Sequence, residues 1–227
     1  EARFCARNYA PLPVVVTRGQ DVYLYDTEGH RYLDMMSAYS AVSHGHAHPR
    51  LVRALTRQAE RLAMCSRAIH SDRLGPFLRR ACEMSGFERG LPMNTGAEAV
   101  ENMMKYLINR HHERLLERGR IPSATRFVYF DQAFHGRTVF ALNVTRVTHD
   151  PVMTKDFQGL VPGNVQVPFP ALDTSAPEAD NAARVDQTLA TLEDAFTRYG
   201  DEIVAVIVEP LQGAGGHRIA PADFLPR

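Results

Sequence analysis

Three short stretches hold residue types that could do chemistry. In Asn94-Thr95-Gly96-Ala97-Glu98 a Thr-Gly pair opens a long helical pattern. A helix start leaves backbone N–H groups free and carries partial positive charge, so it attracts phosphate. Gly96 would let a ligand approach the backbone closely. The same residues also spell a capping box, Thr95 with Glu98 three positions on, which needs no ligand. In Phe134-His135-Gly136-Arg137-Thr138, a few residues past an apolar strand, an aromatic ring could stack and a guanidinium fork could grip a carboxylate. A turn with a core Phe and a surface Arg fits equally well. In Val208-Glu209-Pro210-Leu211-Gln212-Gly213-Ala214-Gly215-Gly216 a Glu and a glycine-rich loop leave another apolar strand. Ligands of parallel sheets bind beyond such strand ends, though any strand exit can look like this.

Two further features bound the chemistry. Ser43-His44-Gly45-His46-Ala47-His48 alternates three histidines, but no Cys, Asp or Glu completes a metal set nearby. Loop histidines leading into a helix at Pro49 are the simpler reading, and no metal site is expected. Of 26 basic residues only Lys105 and Lys155 are lysines, so a mechanism needing a lysine has two candidates. No Gly-x-Ser-x-Gly elbow, P-loop or Gly-x-Gly-x-x-Gly fingerprint is present.

The elements that must position these stretches follow from periodicity. Residues 13–36 read as an antiparallel meander, with β-formers at Val14 to Val16, Val22 to Tyr25 and Arg31 to Asp34 and turns at 18–21 and 26–29. From Pro49, Leu51, Val52, Leu55, Ala59 and Leu62 give a helical apolar stripe. A second helix is expected over 74–84. A third runs from Gly96 to about Arg118 with Ala99, Met103, Tyr106, Leu107 and Leu115 inward and a solvated polar stretch at 110–114. Arg126 to Phe130 is a compact strand, and 150–184 reads as loop with a short strand near Val165 to Val167. Val185, Leu189, Leu192 and Phe196 mark another helix, and Ile203 to Val208 a strand covered on both faces. Alternating helix and strand after residue 90 predicts an α/β layer on a parallel sheet.

Composition excludes more than it assigns. The 227 residues carry 26 basic and 26 acidic side chains, net charge zero, which argues against a nucleic-acid binder held by bulk charge. No apolar run reaches the roughly 18–20 residues of a membrane span, and the first residues lack a signal-peptide core. Cys5, Cys65 and Cys82 have no metal spacing and read as free thiols of a reducing cytoplasm.

Taken in order, six stretches resemble the class III pyridoxal-phosphate aminotransferases, and within them the ornithine branch. They are Asn8-Tyr9-Ala10-Pro11-Leu12-Pro13, Ser37-Ala38-Tyr39-Ser40-Ala41-Val42, Gly45-His46-Ala47-His48-Pro49, Leu91-Pro92-Met93-Asn94-Thr95-Gly96-Ala97-Glu98-Ala99, Phe134-His135-Gly136-Arg137-Thr138 and Val208-Glu209-Pro210-Leu211-Gln212-Gly213. The resemblance implies an incomplete aspartate-aminotransferase-like α/β fold. Residues 1–48 would be part of its small domain and 49–227 the first portion of its large cofactor-binding domain. It implies pyridoxal 5'-phosphate as cofactor, with Thr95, Gly96 and Ala97 cupping its phosphate. Phe134 would stack on the ring, with His135 beside it and Glu209 behind. Tyr9, Tyr39 and Arg137 would bind substrate. It implies amino-acid and 2-oxo-acid substrates, with no nucleic acid or membrane as partner.

Two departures go with the resemblance. Ala214 stands where ornithine enzymes usually carry Glu. The family's Schiff-base lysine, the Asp that meets the pyridine nitrogen and the C-terminal domain all fall beyond Arg227, and neither Lys105 nor Lys155 replaces that lysine. Three readings stay open: a chain that works with a complementary chain or as an oligomer, a non-catalytic binding module, and a poorly folding remnant with an exposed apolar strand edge. Acetylornithine, 4-aminobutyrate and diaminopelargonate branches of the family also stay open.

Overall fold

The computed structural model describes residues 3–6, 9–150, 153 and 163–227. Asn8 and Lys155, singled out above, lie outside them. The chain forms two compact units, Glu1–Gly90 and Leu91–Arg227. The change from strands to helices falls near residue 48, as the sequence suggests, but the helices that follow it group with the strands.

In the first unit β1 (Val16–Gln20), β2 (Tyr23–Asp26) and β3 (Arg31–Leu33) make an antiparallel sheet in that order. The strand expected at Val14 starts two residues later and runs through Gly19, which the sequence reading placed in a turn. The reason is steric. A Cβ at Gly19 would lie 2.7 Å from the His46 ring, so glycine lets that ring pack against the strand. Two helices follow, α2 (Pro49–Arg61) and α3 (Leu74–Ser85). Pro49 sits at the first helical position of α2 and His48 Nδ1 accepts from Arg50 N–H to cap it. The apolar stripe of α2 is real, but Leu51, Val52, Leu55 and Leu62 are exposed.

Between sheet and helices lies α1 (Ser37–Ser40), a single turn wound left-handed. Ser37, Ala38, Tyr39 and Ser40 have φ of 48°, 48°, 56° and 69°. L-residues pay about 1–2 kcal/mol each for this conformation. Asp34 holds it: Oδ1 accepts from Met36 N–H at 3.1 Å and Ser37 N–H at 2.9 Å, while Oδ2 meets His46 Nε2 at 2.7 Å. The His46 contact, followed by the Ser37 N–H, holds the Asp34 carboxyl below the usual carboxylate range.

The second unit is the expected α/β layer. Parallel strands β4 (Arg126–Phe130), β5 (Val165–Val167) and β6 (Ile203–Ile207) lie in the order β5-β4-β6. The long helices α4 (Gly96–Glu117) and α6 (Glu178–Tyr199), the one-turn α5 (Val139–Leu142) and a small hairpin of β7 (Leu211–Gln212) with β8 (Arg218–Ile219) complete it. One core cluster holds Val128, Phe130, Val167, Phe169, Val185, Ile203 and Phe224, and another Met104, Phe127, Val144 and Ile207.

The structure corrects five sequence expectations. On α4 the inward stripe is Val100, Met104, Leu107, Ile108 and Leu115, whereas Ala99, Met103 and Tyr106 are exposed. Met103 and Met104 are both apolar neighbours, and contact with β4 and β6 selects the second. The stretch 110–114 is not wholly solvated, since His111 is half-buried and its Nε2–H donates to the Asp201 carbonyl at 2.6 Å. Helix α6 begins at Glu178, inside the stretch read as loop. Its first turn is polar and hides the period, but Asn181 fixes it by exchanging two 2.9 Å hydrogen bonds with the Asp173 backbone. Phe196 is exposed, with Ala195 buried in its place. Val206 also reaches solvent, so β6 is not covered along its whole length.

Candidate functional site

The three chemistry-bearing stretches of the second unit converge at the carboxyl end of its parallel sheet. At the start of α4 the capping box is present in full. Thr95 Oγ1 accepts from Glu98 N–H at 3.1 Å, and Glu98 Oε2 accepts from Thr95 N–H at 3.2 Å and Asn94 N–H at 2.8 Å. This cap leaves Gly96 and Ala97 as the first two helical residues, whose N–H groups have no intrahelical acceptor. A Cβ at Gly96 would meet nothing within 4 Å, so the space beside Gly96 is open. The structural and the anion-binding readings of this stretch are therefore compatible.

The loop after β4 lies against that helix start. Gly136, at φ +136°, would place a Cβ 3.1 Å from Ala141 Cβ and 3.5 Å from Ala97 Cβ, so only glycine fits there without strain. Glu209, at the exit of β6, reaches the other end of the loop. Its Oε1 accepts from Phe134 N–H at 2.8 Å. Burial pushes the Glu209 carboxyl up, with the N–H groups of Phe134 and Gly213 pulling the other way. Arg137 is exposed and forms no ion pair with a described residue.

Asp131 and Arg218, not singled out from sequence, hold these loops together with Gln212 and Gly215. Asp131, the first residue after β4, accepts from Phe169 N–H at 2.5 Å and from Arg218 Nη1–H at 3.3 Å. Its carbonyl accepts from the fully buried Gln212 Nε2–H at 2.7 Å. A Cβ at Gly215 would lie 2.5 Å from the Gln132 carbonyl, so the two strand exits touch backbone to backbone. A polar residue ending an apolar strand was the available signal for Asp131.

His135 is half-buried, and its Nε2 is buried with no hydrogen-bond partner among the described residues. Desolvation pushes its imidazole down to about 4 from 6.5, so the ring is neutral at pH 7. Between those values the unfolded chain binds a proton that the folded one refuses. Stability from this group is therefore complete above pH 6.5 and lost as pH falls toward 4. The swing is on the order of 3 kcal/mol. A His135→Asn variant is expected to show a flatter urea midpoint between pH 7 and 4.5 than the parent. An unchanged slope would show that the acid sensitivity lies elsewhere.

The group implied by the resemblance has a phosphate, an aromatic ring and polar ring atoms. Two helix N–H groups without an intrahelical acceptor, open space at Gly96, a neighbouring aromatic in Phe134 and a buried imidazole nitrogen without a partner among the described residues suit those features.

In the first unit the Tyr9 and Tyr39 hydroxyls are 2.8 Å apart, and both side chains are exposed. The left-handed turn carries Tyr39, an example of local strain coinciding with a candidate binding residue. The three histidines have separate tasks: His46 pairs with Asp34, His48 caps α2, and His44 Nδ1 lies 3.4 Å from Ser43 Oγ. Among the described residues no group of three or more His, Cys, Asp or Glu could hold a metal ion. No described helix is long and apolar enough to cross a membrane. All three cysteines are unpaired. Lys105 is exposed on α4, about 13 Å of helical rise beyond Gly96.

Comparison with known proteins identifies the family. The sequence profile of aminotransferase class-III matches residues 4–227. The chain is 37% identical over 226 residues to the mitochondrial ornithine aminotransferase of Arabidopsis thaliana, covering 99% of this chain and 42% of that protein. It is 37% identical over 221 residues to ornithine aminotransferase of Bacillus cereus, covering 97% and 49%. Among solved structures, an ornithine aminotransferase from Toxoplasma gondii with partial occupancy of PLP at its active site superposes with TM-score 0.81 and 31% identity. That match covers 99% of this chain and 47% of the other. The chain thus spans about half the length of the relatives it matches. The chain belongs to the class-III aminotransferases, whose cofactor is pyridoxal phosphate.

Proposed function

We propose that the complete protein containing this chain transfers the terminal amino group of L-ornithine to 2-oxoglutarate, giving glutamate 5-semialdehyde and glutamate. The observation that carries the reading is the convergence of the α4 start, the Phe134 loop and Glu209 at one end of the parallel sheet. The names of the relatives support ornithine as the amino donor, and so does the paired Tyr9 and Tyr39.

In this reading the N–H groups of Gly96 and Ala97, with Thr95, hold the cofactor phosphate. Phe134 offers its face to the pyridine ring, and neutral His135 lies beside it. Glu209 fixes the Phe134 backbone from behind. Arg137 grips a substrate carboxylate with its two-pronged fork. Tyr9 and Tyr39 orient the amino donor. The bound cofactor supplies an electron sink for bonds broken at the substrate carbon. The Schiff-base lysine is neither Lys105 nor Lys155 and comes from outside this chain's residues, on a complementary segment or chain. Residues 1–48 belong to the small domain and 49–227 to the large one, and the setting is cytoplasmic arginine and proline metabolism.

The test is absorbance titration with pyridoxal phosphate, followed by borohydride fixation and peptide mapping. Cofactor fixed on a lysine other than Lys105 and Lys155, and turnover of ornithine above acetylornithine and 4-aminobutyrate, are the expected results. Specific fixation on Lys105 or Lys155 would overturn the lysine assignment. Preference for acetylornithine would move the chain to another branch, consistent with Ala214 in place of Glu.

A further inference from the structure

Helix α5 starts without a normal cap. Thr138 is its N-cap residue, yet its side chain makes no capping hydrogen bond to the helix it precedes. In an ordinary cap the Thr oxygen would accept from the third helical N–H, here that of Ala141. Instead a carboxylate from another helix takes that place. Glu101 Oε1, on α4, accepts from Ala141 N–H at 3.3 Å and also from the Thr138 hydroxyl. One oxygen thus receives both the free helix donor and the residue that would have satisfied it.

The geometry has a consequence for Arg137, the residue between two fixed points. On one side Gly136 is pressed against Ala97 and Ala141, where no larger residue fits. On the other side Thr138 is held by Glu101. Arg137 itself is exposed, and no ion pair joins it to Glu101. The Glu101 carboxylate is therefore taken up by the loop's framework and leaves the guanidinium free. Because α4 also presents the Gly96 and Ala97 N–H groups, a single rigid helix sets both the phosphate end and the guanidinium end of the site.

We propose that Glu101 is a positioning residue that fixes the spacing between the substrate-binding Arg137 and the cofactor-binding start of α4. This rests on the reading of Arg137 as a carboxylate clamp. An acceptor oxygen is what the position needs, so Gln should serve where Ala cannot.

The experiment uses the complete protein and glutarate, a dicarboxylate without a reacting carbonyl, measured by calorimetry, with amide hydrogen exchange as a second readout. Glu101→Ala is expected to weaken glutarate binding about tenfold or more and to deprotect the Ala141 amide, with pyridoxal phosphate affinity within twofold of the parent. Glu101→Gln is expected to restore both values to near the parent. Thr138→Val, which removes only the hydroxyl, should weaken glutarate binding in the same direction, and it carries the test if Glu101→Ala does not fold. If Glu101→Ala and Thr138→Val leave glutarate binding unchanged while Arg137→Ala abolishes it, Glu101 is not a positioning residue and the clamp reading stands. If Arg137→Ala also has no effect, the clamp reading fails and the proposal goes with it. Equal losses in Glu101→Gln and Glu101→Ala would overturn the acceptor argument.

Discussion

Under the proposed function, replacing Arg137 by alanine is expected to lower kcat/KM of the complete protein for 2-oxoglutarate by about 10²- to 10⁴-fold. The size follows from the hydrogen bonds lost. Each bond to a charged partner contributes about 1.5–3 kcal/mol, and a guanidinium fork makes two to one carboxylate. Every 1.4 kcal/mol is about tenfold. The loss should fall mainly on KM, because the carboxylate is bound alike before and during the reaction. Arg137→Lys should recover only part of it, since an ammonium cannot match the planar fork. The side chain is exposed and carries no core packing, so the thermal midpoint should hardly move. Unchanged kinetics for Arg137→Ala would reject the clamp, and a large loss of stability would show that the residue does something structural instead.

Phe130→Ala is expected to destabilise the second unit by about 3–5 kcal/mol. Phe130 ends β4, is 1% exposed and packs edge-on against Phe169 and Phe224, each with ring centroids 5.9 Å away. Those two rings also meet each other at 6.3 Å, so removing Phe130 opens a void among three elements. A domain's net stability is only about 5–15 kcal/mol, so the variant should sit near its unfolding threshold. Urea unfolding followed by far-UV circular dichroism is the measurement. A shift below 1 kcal/mol would mean that the core closes over the gap. Phe130→Leu should cost much less, because it leaves a smaller cavity. Since Phe130 immediately precedes Asp131, its loss should also loosen the loop that carries Phe134.

Much of this was legible in the sequence because local chemistry decided it. The apolar runs at Arg126 to Phe130 and Ile203 to Ile207 admit few alternatives to buried parallel strands. Thr95 with Glu98 fixes a helix start without help from distant residues. The rest depends on partners far along the chain. Met103 and Met104 cannot be ranked until β4 and β6 are packed beside them. The left-handed turn at Ser37 contains no glycine, and the distant His46, through Asp34, helps to sustain it. The β7–β8 hairpin has two-residue strands and depends on Gly215 meeting Gln132. Periodicity likewise could not link Glu209 to Phe134 or Glu101 to Thr138. A strand exit and a polar helix position are too common to specify such pairs.

The bond from Glu209 to Phe134 spans 75 residues of chain. A ribosome adds about 5–20 residues per second, so roughly 4–15 seconds separate the synthesis of its two ends. During that interval β4 and the Phe134 loop exist without their β6 neighbour. Closing so large a loop is entropically unfavourable until the strand pairing completes it. The first unit, built from neighbouring strands and helices, has no such wait. The candidate site is therefore among the last parts of this chain to be assembled, and a pause in translation before residue 209 would prolong the exposure of Val128 and Phe130.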